Sequence, residues 1–372
     1  MKLERPTYAE IDLGAITHNS NEIKRLIRPK TKIMAVVKAN GYGHGAVSVA
    51  SAARRGGINY FGVASVAEAM ELRRGGISSS ILILSEQTKL AVPNIINFHL
   101  TQTVYSMDFA KALSDLARKY DKKIPIHIKI DTGMGRVGIN YSEAIAFATE
   151  ISKFKNLRIE GIFTHFANAE KPDDQYTLEQ LKRFVDVLAK LEEKKISIPI
   201  KHAANSSAAI NYPQSHFDMV RIGLSLYGLY PGGVKTEKVD LKPALQFKTK
   251  VIFMKKVKAG VPLGYGGTYV TKEDTTIVSI PVGYADGLSR RLSNNGHVLI
   301  RGKRFPISGL VSMDLTLVDV GGNTVDIGDE VVLIGKQGAE EISVDEVAYL
   351  ENTINYEVIC SIGKRVPRIY YE

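Results

Sequence analysis

Lys38 lies in the run Met34-Ala35-Val36-Val37-Lys38-Ala39-Asn40-Gly41-Tyr42-Gly43-His44-Gly45, where an apolar stretch ends on an amine and opens into a glycine-rich loop carrying a phenol. An amine set against apolar neighbours has its charged form disfavoured, so the neutral amine that forms a Schiff base becomes accessible. Alone, Lys38 reads better as a strand-ending lysine turned to solvent. Four further candidates change that balance: Arg136, His165, Asn205 with Ser206, and Arg221 each end or follow a strand-like segment. Singly, Arg136 reads as a surface guanidinium, His165 as a core imidazole and Asn205-Ser206 as a helix cap. Gathered at one mouth, they would surround an anionic ligand. Ser206, the amides of Gly223 and Leu224 and two tyrosyl hydroxyls suit a phosphate group. The glycines at 41, 43 and 45 match neither the Walker pattern nor the dinucleotide fingerprint, so a nucleotide is not indicated.

The elements that must bring these residues together are legible as a rhythm. From residue 32 to about 222, short β-branched runs alternate with longer amphipathic ones, the signature of successive βα units. Eight strands are predicted, near Ile33–Val37, Tyr60–Ala64, Ile81–Leu84, Gln102–Tyr105, Ile124–Ile130, Arg158–Phe163, Ile198–His202 and Phe217–Ile222. Eight units imply a (β/α)8 barrel of the TIM type, whose chemistry collects at the C-terminal ends of the strands. Pro199 removes a ladder donor, so the seventh strand is expected to begin only at Ile200. Ser65 and Glu68 form a capping box for the helix after the second strand. In the fifth strand Ile124, Ile126, Ile128 and Ile130 alternate with His127, Lys129 and Asp131. The isoleucines should face the helices, which puts Lys129 inside the barrel, where an ammonium is costly unless paired or modified.

After Pro231-Gly232-Gly233-Val234 the rhythm stops. Strands are expected at Phe247–Val257, Thr276–Val282, His297–Ile300, Leu315–Val320, Val331–Leu333 and Val358–Ile362, giving a mainly β C-terminal domain. The division is barrel 1–235 and β domain 236–372. Tyr8–Leu13 also reads as a strand, of either domain.

Composition narrows the class of function. The 372 residues are 44% hydrophobic and 24% charged, as folded chains are. The excess of 49 Lys and Arg over 39 Asp and Glu is scattered, with no basic stripe interleaved with aromatics, so nucleic acid is not an expected partner. No apolar run approaches a membrane span, and Met1-Lys2-Leu3-Glu4-Arg5-Pro6 lacks a secretory core, so a cytoplasmic location is expected. Cys360 is the lone cysteine, and the eight His have no metal-ligand spacing, so no metal is expected.

The motifs, in order, resemble those of the alanine racemase family. They are the Lys38 run, Lys129-Ile130-Asp131-Thr132-Gly133-Met134-Gly135-Arg136, His202-Ala203-Ala204-Asn205-Ser206, Val220-Arg221-Ile222-Gly223, Gly264-Tyr265-Gly266, Gly283-Tyr284-Ala285-Asp286-Gly287, Ser312-Met313-Asp314 and Ile354-Asn355-Tyr356-Glu357. The resemblance implies pyridoxal 5'-phosphate carried on Lys38, and interconversion of L-alanine and D-alanine, the latter for cell-wall peptidoglycan. It implies a homodimer in which Tyr265, from the other subunit, serves the second face of the substrate carbon. A phenol is a poor base near neutrality, so cations around Arg136 and His165 must favour its ionised form. Arg221 is implied to face the pyridine nitrogen, and Asn205 and His165 to line the cofactor. Tyr42, Ser206, Gly223, Leu224 and Tyr356 are implied to hold the phosphate. Arg136 and Met313 are implied to meet the substrate, Tyr284 to guard the entrance, and Lys129 to be a carbamate.

Two positions depart from the family pattern: Ser312 stands where cysteine is frequent, and Leu310 where arginine is. Both bear on entrance electrostatics and so on preference for alanine over serine. A same-fold serine or broad-specificity racemase is the nearest alternative. A pyridoxal-phosphate amino-acid decarboxylase would want an acid in place of Arg221. A non-catalytic barrel protein carrying the cofactor would lack a β domain bearing Tyr265.

Overall fold

The structure is a computed structural model describing residues 5–372. It comprises two compact units: residues 15–242, and residues 5–14 together with 243–372.

In the first unit eight parallel strands form a nearly closed barrel. They are Lys32–Val36, Tyr60–Val63, Ser80–Ile83, Thr101–Val104, Ile124–Asp131, Leu157–Phe163, Ile200–His202 and Met219–Ile222. From the first to the seventh each pairs with the next, and the eighth pairs with the first. The seam between the seventh and eighth carries Asp218 N–H donating to Lys201 O at 3.0 Å and Arg221 N–H to Ala204 O at 3.0 Å. The seventh strand begins at Ile200, just past the proline, because Pro199 has no amide to give a ladder. Met34, Leu82, Ile200 and Met219 pack together inside the barrel. The isoleucines at 124, 126, 128 and 130 are buried, and so are the intervening His127 and Lys129. The helix after the second strand opens on the expected box, Ser65 Oγ accepting from Glu68 N–H while Glu68 reaches back to the Ser65 amide.

The second unit is mainly β. Tyr8–Asp12 pairs antiparallel with Leu245–Lys250 and parallel with Arg368–Tyr371, so the N-terminal strand belongs here, and the barrel unit is not contiguous from residue 1. Its alternation, with Ala9 and Ile11 fully buried, requires such a sheet. The stretch expected as one strand over 247–257 is two, Leu245–Lys250 and Phe253–Val257, in different sheets. The stretch 358–362 is not a strand. It falls largely in the helix Asn355–Ser361, where Asn355, Val358 and Ile359 are buried at helical spacing, with Ile362 buried just past its end, so the β-branched run misled a reading by composition. Among the described residues no helix is long and apolar enough to cross a membrane.

Candidate active site

Lys38 stands one residue beyond the first barrel strand, past Val37, at its C-terminal end. The chain then makes one left-handed helical turn, with φ of 52° at Ala39, 52° at Asn40, 62° at Gly41, 51° at Tyr42 and 82° at Gly43. Three of these residues carry a Cβ that disfavours the conformation, strain of a kind that gathers at functional sites. Neighbours enforce it. Glu68 accepts from Ala39 N–H at 2.7 Å, Asn40 Oδ1 accepts from Ala46 N–H at 3.1 Å, and the Tyr42 ring rests 4.9 Å from that of Tyr227.

Opposite this turn is a cradle of hydroxyls and amides. Ser206 Oγ accepts from Gly223 N–H at 3.0 Å and is 3.0 Å from Ser225 Oγ. Gly223 passes so close to Tyr42 that a Cβ there would lie 2.5 Å from the phenol oxygen. Leu224 follows, wholly buried. Asn205 takes the helix-cap role considered for it, its Oδ1 accepting from Ala208 N–H at 2.9 Å.

Arg221, on the eighth strand, is buried, and among the described residues it forms no ion pair with a carboxylate. Its guanidinium donates to His202 Nδ1 at 3.1 Å, His165 Nδ1 at 3.1 Å, Thr164 O at 2.9 Å and Ala203 O at 2.9 Å. Burial brings its pKa down to about 9, leaving it charged at neutrality. Burial and then the charges of Arg221 and Arg136 hold the His165 imidazole well below its ordinary range. His165 is therefore neutral and, with Nδ1 accepting, protonated on Nε2. It offers a hydrogen bond rather than the positive charge expected around it.

Lys129 is likewise inside, its amine 5.6 Å from the Phe163 ring centre, and Arg221 lies 5.3 Å from the same ring. Burial, then Arg136 and Arg221, lower Lys129 to about 8, against a smaller opposing pull from Asp131. Arg136 is exposed in the loop after the fifth strand, beyond Asp131, whose carboxylate accepts from the amides of Gly133 and Gly135. Lys38, Lys129, Arg136 and Arg221 thus form a cationic group whose nearby acid is already engaged, and such a group calls for an anion. Amine, guanidinium and hydroxyl–amide cradle together fit pyridoxal phosphate, which brings a carbonyl, a ring nitrogen and a phosphate.

The other candidates lie in the second unit. Tyr265 is 72% exposed, Met313 52% and Tyr284 45%, while Tyr356 is half-buried. Their loops adjoin: Tyr284 N–H donates to Ser312 O at 3.0 Å, Ala285 N–H to Met313 O at 3.2 Å, and Gly309 packs against Leu263 and Gly264. Asn294 ties two of them, accepting from Gly309 N–H at 2.6 Å and donating to Thr268 at 3.1 Å. Asn294, Phe163 and His202 were not singled out from the sequence. His202 does lie in a motif at a strand end, which is the signal that was available.

Comparison with known proteins agrees with this geometry. The alanine racemase N-terminal domain model matches residues 11–231 and the C-terminal domain model residues 244–370. The chain is 46% identical over 369 residues to "Alanine racemase 1" of Caldanaerobacter subterraneus subsp. tengcongensis, covering 99% of this chain and 95% of that one. An alanine racemase structure from Clostridium difficile 630 superposes with a TM-score of 0.95 at 38% identity, covering 100% of this chain and 97% of that one. One from Bartonella henselae, with covalently bound pyridoxal phosphate, gives 0.88 at 32% identity, covering 98% and 99%. With both domain models matched in order, and relatives aligned almost end to end, the chain belongs to the alanine racemase family.

Proposed function

We propose that this protein interconverts L-alanine and D-alanine with pyridoxal phosphate held on Lys38, using Lys38 and Tyr265 as two acid–base groups on opposite faces of the substrate carbon. The observation that carries the reading is the pairing of a strand-end amine with a buried guanidinium that has no carboxylate partner among the described residues. When bound, the cofactor supplies delocalisation that acidifies the proton on Cα. The protein's own residues do the rest. Ser206, Gly223, Leu224, Tyr42 and Tyr356 hold the phosphate, and Asn205 and His165 line the ring. Arg221 faces the ring nitrogen, where its fixed charge discourages protonation and so favours return of the proton to Cα.

Arg136 and Met313 orient the substrate carboxylate. Lys38 exchanges a proton with one face of Cα and Tyr265 with the other. Supporting a second subunit as the source of Tyr265 and Met313 is the exposure of both. The assembly is then a homodimer with shared sites, Tyr284 stands at the entrance, and Lys129 carries a carbamate. The protein works in the cytoplasm, and its D-alanine supplies peptidoglycan. Ser312 and Leu310 leave alanine and serine to be ranked by measurement.

The test is deuterium exchange at Cα of each alanine enantiomer, in the unmodified enzyme and in Tyr265→Ala. Both enantiomers should exchange and invert in the unmodified enzyme. The variant should still exchange the enantiomer that Lys38 serves, without inverting it. Equal exchange of both by the variant removes Tyr265 from the mechanism, and decarboxylation without inversion overturns the assignment.

A further inference from the structure

Beneath Arg221 the barrel contains a polar chain that the proposed chemistry does not use. His202 Nε2 lies 2.8 Å from His127 Nδ1, and His127 Nε2, buried and without a hydrogen-bond partner, lies 3.8 Å from Glu160 Oε2. Glu160 Oε2 also accepts from Thr101 Oγ1 at 3.3 Å, and its other oxygen is 3.5 Å from the exposed Arg158. Both imidazoles are fully buried.

The protons in this chain are fixed by elimination. A guanidinium only donates, so His202 Nδ1 accepts and its proton sits on Nε2. That N–H donates to His127 Nδ1, so the His127 proton also sits on Nε2, facing the carboxylate. Every donor points one way, from Arg221 through two neutral rings to Glu160. Burial holds His202 and His127 below their ordinary range, which agrees with neutral rings.

The backbone is shaped for this arrangement. The fifth and sixth strands pair Ile126 with Ile159 and then His127 with Gly161, so Glu160 is the extra residue of a bulge. Bulges re-aim side chains, and here the re-aimed residue is the acid. At the next position, a Cβ on Gly161 would lie 2.5 Å from His127 ring atoms, so glycine makes room for the imidazole. Two successive residues of one strand thus accommodate a single buried histidine.

We propose that His127 and Glu160 are positioning residues for Arg221: two hydrogen bonds running one way, from Arg221 through His202 to His127, end on the charge contact between His127 Nε2 and the Glu160 carboxylate, which supplies the guanidinium's remote counter-charge and fixes its aim at the cofactor ring. The proposal rests on the reading of Arg221 given above. A direct carboxylate would neutralise Arg221 and compete for its N–H groups. A carboxylate two imidazoles away compensates the buried charge while leaving the guanidinium to face the ring.

The test uses the full-length enzyme with its cofactor, labelled with 15N at histidine, together with His127→Leu, His127→Asn, Glu160→Gln and Arg221→Lys. Asparagine keeps an acceptor oxygen near the place of Nδ1, and leucine does not. In the unmodified enzyme both His127 and His202 should be protonated on Nε2 alone across the neutral pH range. His127→Leu should move the His202 ring signals and the cofactor absorption band, with kcat falling about tenfold and KM changing less than about twofold. His127→Asn should restore both signals. Glu160→Gln, nearly isosteric and chosen in case the leucine variant fails to fold, should move the His127 Nε2–H signal and the band. Protonation of His202 on Nδ1, or a band that responds to Arg221→Lys but not to Glu160→Gln, overturns the relay and leaves the role of Arg221 standing. A band indifferent to Arg221→Lys overturns that role, and the relay with it.

Discussion

The phenol of Tyr42 lies against the α-carbon of Gly223, so near that a Cβ on the glycine would stand 2.5 Å from the oxygen. The two residues come from loops after the first and eighth strands, neighbours in the barrel although far apart in sequence. Gly223 has φ of −109°, outside the left-handed region, and the close approach of the phenol is what a side chain there would meet. Gly223→Ala should displace Tyr42 and crowd the cradle, weakening the cofactor about tenfold or more and costing about 1–3 kcal/mol of stability. Fluorescence titration of the cofactor into stripped enzyme measures the first effect. Unchanged affinity would remove the cradle from the phosphate site.

How much of this was legible in the sequence follows from what each feature depends on. All eight barrel strands were, because they read as short β-branched runs between amphipathic ones, and Lys38 and Arg221 could be sorted by lying at their ends. Lys129 was placed inside by simple alternation, and it is buried. The bulge at Glu160 was not legible, since a one-residue slip between partners leaves no mark in composition. The partners of Tyr8–Asp12 lie more than two hundred residues away, and no local pattern names them. The helix Asn355–Ser361 was missed because Val358 and Ile359 carry strand propensity while burial at helical spacing decided the outcome. The neutrality of His165 comes first from burial and then from the charges of Arg221 and Arg136, which other parts of the barrel bring near.

The turn after Lys38 makes a prediction about strain. Ala39 and Asn40 both have φ of 52°, and only Asn40 compensates, through its bond to the Ala46 amide. Ala39→Gly should therefore stabilise the chain by about 1 kcal/mol. Asn40→Ala loses both its tolerance for the conformation and the bond, and should cost about 1–2 kcal/mol. Urea unfolding at neutral pH reads both, and effects of equal sign would show that the turn is not strained.

Lys129 predicts a response to carbon dioxide. Lowered to about 8, its amine is partly neutral in mildly alkaline solution. The neutral nitrogen can form a bond to the carbon of CO2, releasing a proton and leaving a carboxylate among the cations. Enzyme equilibrated with 13C-bicarbonate should show a carbamate carbon signal that is absent from Lys129→Arg. A plain lysine would instead impose a linkage. Its folded pKa is depressed, so between about 8 and the ordinary lysine range the unfolded chain binds the extra proton and stability rises with pH. Such a rise without the 13C signal would rule out the modification.

Glu351 carries the opposite sign. It is buried in the second unit, and burial, then the charge of Glu357, raise its carboxyl to about 7, with Arg291 opposing. A raised acid is protonated in the folded state while the unfolded chain has released its proton. The stabilisation is therefore complete below pH 4.5 and is lost as pH rises through about 7. Above that, a buried carboxylate faces Glu357 at a cost that glutamine, neutral and nearly the same shape, does not incur. Glu351→Gln should raise stability by on the order of 1–3 kcal/mol in mildly alkaline solution, or about 2–4 °C of melting temperature per kcal/mol. In acid the two proteins should melt together, because both then hold a neutral group at this position. Thermal unfolding on either side of neutrality measures the difference, and a gain of the same size at both pH values would show that packing, not charge, sets the effect.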